Sequence, residues 1–420
     1  MVDDTPVPRR PLSLIGYGSV HFGKSLLWAG EDALTLYILV RFLDLPPTLA
    51  GTMFLASALW NGLCDGLFGT VLHRWPSIGR AVPGLSGAAI LASGVGFAIL
   101  PLLAKGQAAL AAALLFLFRT GFSLLDVPHN ALTRRLAEIR GDLGAAQIRA
   151  AVSSAAAIVI GMVAFPIVSG GDGAQWAPML VAAIGLIAVV CMAPLPLLLA
   201  QDIDAGQQVV RVSRSASSSL WTYCAATAIG LAGLTAVGKA MLHLDFGSSG
   251  IVSAVLLVLT IGRLAAVWLW SPIARRIGNR PALALAYALS GLATLMIPMI
   301  AQQSGMAALS CLALFSLIGG GIAFLSWAVL SEIIGQRGRS QAAGRYAANF
   351  GLFTMSMKIG LGLSASIAGI WLSSSPQSVG VAPELFWPLG GFAILTSGMA
   401  AALILVIRLE PRPVGLSFGC

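Results

Sequence analysis

Apolar residues fill this chain in runs of about twenty or more, divided by short polar or basic links. A run of that length is what one helix needs to cross the hydrocarbon core of a bilayer. The pattern predicts spans over 12–40, 48–72, 82–104, 107–130, 146–170 and 177–200. A second set follows over 218–241, 249–272, 281–302, 306–331, 344–372 and 386–408. The alternating ten-residue segments of an outer-membrane barrel do not occur. The expected fold is therefore all-α and integral to the membrane, with twelve transmembrane helices.

Composition sharpens this reading. Of 420 residues, 57% are hydrophobic and 10% charged, against about 25% charged in a soluble domain. The 48 glycines suit close helix approach in lipid. Basic residues fall mainly on one side of the predicted spans. Arg9, Arg10, Arg74, Arg80, Arg134, Arg135, Arg140, Arg211, Arg214, Arg275, Arg276, Arg280, Arg337, Arg339, Arg345, Arg408 and Arg412 share it, whereas Arg41, Lys105 and Lys239 lie on the other. Positive residues mark the cytoplasmic face, so both termini are expected in the cytoplasm and the chain in a bacterial inner membrane. The net charge of +9 then reflects topology and lipid contact, not nucleic-acid binding. The start, acidic and then proline-broken, does not resemble a signal peptide. Five cysteines without a CxxC pair read as free thiols.

Against this apolar background stand Lys24, Asp65, Asp126, Arg149 and Lys358. A charge at bilayer depth costs roughly 2.5–3.5 kcal/mol on the gentlest scale, so such residues pair or line a polar cavity. Helical spacing groups them. Lys24 and Glu31 are two turns apart on the first span, and Asn61 and Asp65 share a face of the second. Arg119, Ser123 and Asp126 follow one another on the fourth, and Thr354 and Lys358 share a face of the eleventh. Arg149 opens the fifth. These residues are expected to converge on one central cavity, with Lys358 facing it from the second half. Arg119 and Arg263 read as structural partners, and Glu31 and Asp32 as possible neutralisers of Lys24. His21, His129 and His243 are too scattered for a metal site, and no P-loop is present, so no cofactor and no enzymatic activity are expected.

The chain divides at a polar link, 202–217, into halves 1–201 and 218–420. LHRWPSIGR after helix 2 and ARRIGNR after helix 8 are short basic links at matching points. Two such halves around a midplane site are the architecture of the major facilitator superfamily. Gly16, Gly18, Pro128, Gly319 to Gly321, Gly360 and Gly362 fall inside helices, where packing or flexing calls for them.

Several segments resemble one branch of that superfamily, the melibiose-permease-like glycoside–pentoside–hexuronide:cation symporters. GYGSVHFGKSLLW resembles the family's first helix, and TLAGTMFLASALWNGLCDGLFG its Trp-Asp-x-x-x-Asp-Pro-x-x-Gly stretch. LLDVPHNAL resembles its Met-Asp-Ile-Pro segment, Gln147-Ile148-Arg149 its helix 5 arginine, and FTMSMKIGLGL its lysine-bearing helix 11. The resemblance implies a cation site at Asn61, Asp65 and Ser123. It implies a substrate site at Lys24, Asp126, Arg149 and Asn130, with Lys358 opposite. The departures matter. Asn61 replaces a carboxylate and Cys64 an asparagine, which leaves a poor sodium cage. A single desolvated carboxylate suits a proton better. Ser25 replaces an aspartate and Asn130 an aromatic, so Lys24, Arg149 and Lys358 outnumber Asp126. A proton-coupled symporter of a small polar or anionic solute is the function implied, in a monomer. The alternatives are an exporter of amphipathic compounds, for which Trp28, Trp60 and Trp327 would serve, and a non-transporting assembly factor.

Overall fold

The computed structural model describes residues 12–168, 176–204, 216–241, 249–297, 306–335, 343–373 and 386–407. They form helices throughout. Helix α1 is Leu14–Tyr37, prolonged by a π-helical turn Ile38–Phe42. Ser13 caps its start by accepting a hydrogen bond from the Gly16 amide, 3.1 Å. Helices α2, Pro47–Arg74, and α3, Pro76–Ile99, each begin with proline, whose missing N–H costs nothing at a first turn.

The long run Ala108–Val168 is broken at Gly141, φ 73 and ψ 163, into α4 (108–140) and α5 (142–168). That backbone angle suits glycine alone, so the chain reverses there with almost no loop. Helix α6 is Ala177–Met192, continued after a short turn as Leu195–Asp204. The second half comprises α7 Ala216–Met241, α8 Ser249–Ile277, α9 Asn279–Ala293, α10 Met306–Gly335, α11 Ala343–Ser373 and α12 Phe386–Val406. Gly278, φ 92, makes the α8–α9 turn. Residues 205–215, most of the predicted link, lie outside the described ones.

Within the described residues each predicted span is helical over most of its length, and several helices run longer than predicted. Residues 169–170, 298–302 and 408, at the ends of three predicted spans, lie outside the described ones. Helix α4 runs through Pro128 to 140, ten residues past its expected end. Helix α8 continues to Ile277, and α3 starts at Pro76. The added turns carry polar and basic residues that leave the hydrocarbon, so an apolar-run criterion stops short of them. Among the described residues, eight helices are long and apolar enough to cross a membrane by length and composition, one of them the kinked span Ala108–Ala164. Helices α1 and α2, which carry interior polar residues, are not among them.

Glycine brings the helices together where the site is built. At the α3–α6 crossing, a Cβ on Gly185 would stand 2.8 Å from the Gly94 carbonyl oxygen. Between the halves, α2 lies against α11. A Cβ on Gly69 would meet the Ala347 carbonyl oxygen at 2.6 Å, and one on Gly351 would run into that of Asp65. This crossing fixes which face of α11 looks at α2. Two turns beyond Gly351 on that face comes Lys358.

Candidate substrate and coupling site

Helices α1 and α4 run antiparallel, and their facing sides form a polar seam. On α4 the stripe is Arg119, Ser123, Asp126, Asn130 and Thr133, at alternating intervals of four and three. On α1 it is Tyr17, His21, Lys24, Trp28 and Glu31, at the same intervals. Every polar member of both stripes is buried.

From the face where α1 ends, here the outer face, the first rung is an ion pair between Arg119 and Glu31. Trp28, Phe54 and Phe118 surround its guanidinium, with ring centroids 5.6 to 5.9 Å away. Glu31 is thus the partner of Arg119, not of Lys24 as the sequence left open. Two turns of helix separate Lys24 and Glu31 by about 10 Å, too far for contact on one face.

The second rung joins Asn61 and Asp65 of α2 to Ser123 and Lys358. Ser123 Oγ donates to Asn61 Oδ1 at 2.8 Å. The Lys358 ammonium donates to Asn61 Oδ1 at 2.6 Å and to Asp65 Oδ2 at 2.5 Å. Asp65 and Asn61 are fully buried, and Asp65 Oδ1 and Asn61 Nδ2 have no protein partner. Sequence reasoning placed Lys358 among the substrate ligands. Its ammonium instead lies between the two α2 residues, where it bridges the halves.

The third rung joins Lys24, Asp126, Asn130 and Arg149. Lys24 donates to Asp126 and, at 2.5 Å, to Asn130 Oδ1. Arg149 on α5 donates to Tyr17 Oη and Thr133 Oγ1, both 2.8 Å, and to Asn130 Oδ1 at 2.9 Å. No carboxylate lies within ion-pair distance of Arg149 among the described residues. Lys24 is matched by Asp126, Lys358 by Asp65 and Arg119 by Glu31. The seam therefore holds one buried cation in excess, at Arg149. Tyr17 and Thr133 escaped the sequence reading, although their intervals from Lys24 and Asn130 put them on the same faces.

His21 and His129 also belong here. They stack with Tyr17, with centroids 4.7 to 6.1 Å apart. Their Nε2 atoms contact the Arg149 and Tyr17 carbonyl oxygens at 3.1 and 3.4 Å. No group of three or more His, Cys, Asp or Glu suited to a metal occurs among the described residues. Cys64, Cys191, Cys224 and Cys311 are free.

A narrow cleft opens toward the outer face between α1, α2, α7 and α11. Trp28, Glu31, Asp32, Arg119, Lys239 and Lys358 line it together with apolar residues. Lys24, Asp126 and Arg149 do not. This cleft therefore reaches Lys358 and not the other three charges. Ion pairing has drawn α1, α4 and α5 together around the third rung, and the cleft stops at Lys358.

At the opposite, inner face, described helices of the two halves are in contact. Arg134 of α4 donates to Asp142 at 3.0 Å and to the Ser331 carbonyl of α10 at 3.1 Å. Gln147 of α5 donates to Ser271 of α8 at 2.8 Å. Trp327 of α10 covers Arg149.

No curated protein sequence matches the chain. Among solved structures, a bacterial homologue of the iron transporter ferroportin in an outward-facing state is similar over 93% of this chain and 98% of its own, at 16% identity and TM-score 0.68. The nucleoside transporter NupG gives 93% and 99%, at 13% identity and TM-score 0.63. The Escherichia coli fucose:proton symporter FucP gives 94% and 98%, at 15% identity and TM-score 0.61. At these identities the likeness establishes the fold. A family model described as MFS/sugar transport protein matches residues 16–408. That match spans nearly the whole chain, so the chain belongs to that family of major facilitator transporters.

Proposed function

We propose that the protein is a proton-coupled symporter of a small anionic or polar solute, of the uronide or organic-acid kind, working by alternating access. The observation that carries the substrate class is Arg149. It is buried, bonded only to neutral oxygens, and left over after the other seam cations are paired. A buried, uncompensated cation is costly, and an incoming carboxylate would offset that cost while accepting a bidentate pair. Asn130 and Lys24 stand beside it to orient hydroxyl groups.

Asp65 is the proposed proton carrier. In the present state its carboxylate is held by Lys358, the chain's own cation, where a sodium ion would otherwise need several oxygen ligands. Protonation of Asp65 would free Lys358 and loosen the α2–α11 bridge between the halves. A single helix, α4, carries both Ser123 of this cluster and Asp126 of the next, so the two sites can sense each other. The units are proposed as 1–201 and 218–420, with the 202–217 link and both termini on the cytoplasmic side of a bacterial inner membrane, in a monomer. The inner face is then the cytoplasmic one, and the present state opens outward.

The reading is tested by screening hexuronates, organic acids and matched neutral sugars for stabilisation of purified protein. An anion that stabilises the wild type but not Arg149→Ala supports it. Stabilisation by neutral sugars alone would remove the anion assignment. The apolar wall of the cleft favours a second reading, export of amphipathic compounds, and the direction of net flux separates the two.

A further inference from the structure

One aromatic side chain from the second half touches Arg149. The Arg149 guanidinium carbon lies 3.7 Å from the ring centroid of Trp327, on α10. The indole is not free to turn. Phe350 stacks on it at 6.3 Å, and Phe353 meets it edge-on at 5.2 Å. Phe353 in turn lies parallel to Tyr223 of α7 at 5.6 Å. The Tyr223 hydroxyl donates to the Ser326 carbonyl at 2.7 Å, next to Trp327 in sequence. An aromatic pillar from α7 through α11 to α10 therefore presents one indole face to one guanidinium.

The position of this contact gives it a role. Arg149 lies about two turns into α5 from Gly141, and Trp327 about two turns from the end of α10. Both ends are at the inner face. The contact thus sits between the third rung and that face, and crosses from one half to the other. A cation over an indole is held by its charge. The hold weakens when that charge is neutralised.

We propose that Trp327 is a positioning residue for Arg149. Its indole clamps the uncompensated guanidinium and so keeps the inner face closed until the charge of Arg149 is satisfied. The proposal rests on Arg149 being the excess cation of the seam. It explains how an anion arriving from the outer cleft would be sensed by the other half without contacting it. It also gives the empty protein a reason to rest with the inner face shut. Arg134 and Gln147 add neutral-acceptor contacts to the same closure, but neither depends on the charge of a substrate-site residue.

The test needs no solute. Spin labels are placed at Ile139 on α4 and Ile277 on α8, exposed positions at the inner face of the two halves. The full chain, with its native cysteines replaced, is reconstituted in nanodiscs, and the inter-label distance distribution is read by pulsed electron resonance. Trp327→Leu is expected to raise the ratio of long to short distances about thirtyfold, the order set by a desolvated cation–π contact. Arg149→Gln, which removes the charge and keeps a polar side chain, should raise it equally. The double variant should go no further than either single one. Trp327→Tyr should restore most of the closed population, which a loss of fold could not mimic. If Trp327→Leu leaves the distribution unchanged, or if the two single effects simply multiply in the double variant, Trp327 is packing and the clamp is wrong. Solute stabilisation lost in Arg149→Ala would stand in either case, so failure of the clamp is distinguishable from failure of the anion reading.

Discussion

Lys358→Met tests whether the α2–α11 bridge is an ion pair on which the fold depends. In the native protein the ammonium serves two acceptors, Asp65 Oδ2 and Asn61 Oδ1, and the carboxylate has no exposed surface. Asp65 Oδ1 already lacks a partner. Removing the lysine therefore leaves a buried carboxylate with no donor on either oxygen, which costs about 3–5 kcal/mol. Asp65→Asn alone leaves the ammonium with amide acceptors and should cost less. The double variant, Asp65→Asn with Lys358→Met, buries no charge and should recover at least about 2 kcal/mol relative to the sum of the single effects. The assay is equilibrium unfolding in mixed micelles, followed by tryptophan fluorescence. Additive single effects would refute the bridge as described.

The remaining predictions concern ligand, packing and topology. Arg149→Ala should abolish solute-induced stabilisation while the protein remains folded in the membrane, read by thermal unfolding with and without solute. Gly351→Ala should destabilise by about 1–3 kcal/mol, because the new methyl meets the Asp65 backbone. Gly391→Ala, with nothing within 4 Å, should be neutral or slightly stabilising in the same unfolding assay. A tag at residue 208 should be inaccessible to a membrane-impermeant reagent on intact cells, and labelling from outside would overturn the proposed orientation.

Much of this arrangement is written in local spacing. The helices follow the apolar runs because length and hydropathy are properties of a single segment. The α4 stripe from Arg119 to Thr133 is likewise a periodicity that one helix displays by itself. Partner choice is different. Whether Lys24 meets Glu31 or Asp126 depends on how α1 and α4 register against each other, and glycines set that register through contacts far apart in sequence. Gly351 against Asp65 is the clearest case, since it directs Lys358 to Asn61 and Asp65. Trp327 on Arg149 was hidden for the same reason. An indole on α10 carries no local mark of the guanidinium it will cover. The inner ends of α4 and α8 were missed because polar turns beyond the hydrocarbon carry no apolar signal.

Proton coupling through Asp65 is the central claim, and accumulation in proteoliposomes tests it most directly. The solute is the one that stabilises wild type and not Arg149→Ala. Vesicles are made sodium-free, with an interior more alkaline than the medium. Wild type should concentrate the solute against its gradient, lose that ability when a protonophore is added, and change little when sodium is supplied. Asp65→Asn should exchange labelled for unlabelled solute across the membrane but fail to concentrate it. Accumulation by Asp65→Asn, or accumulation by wild type only with sodium, would contradict the account.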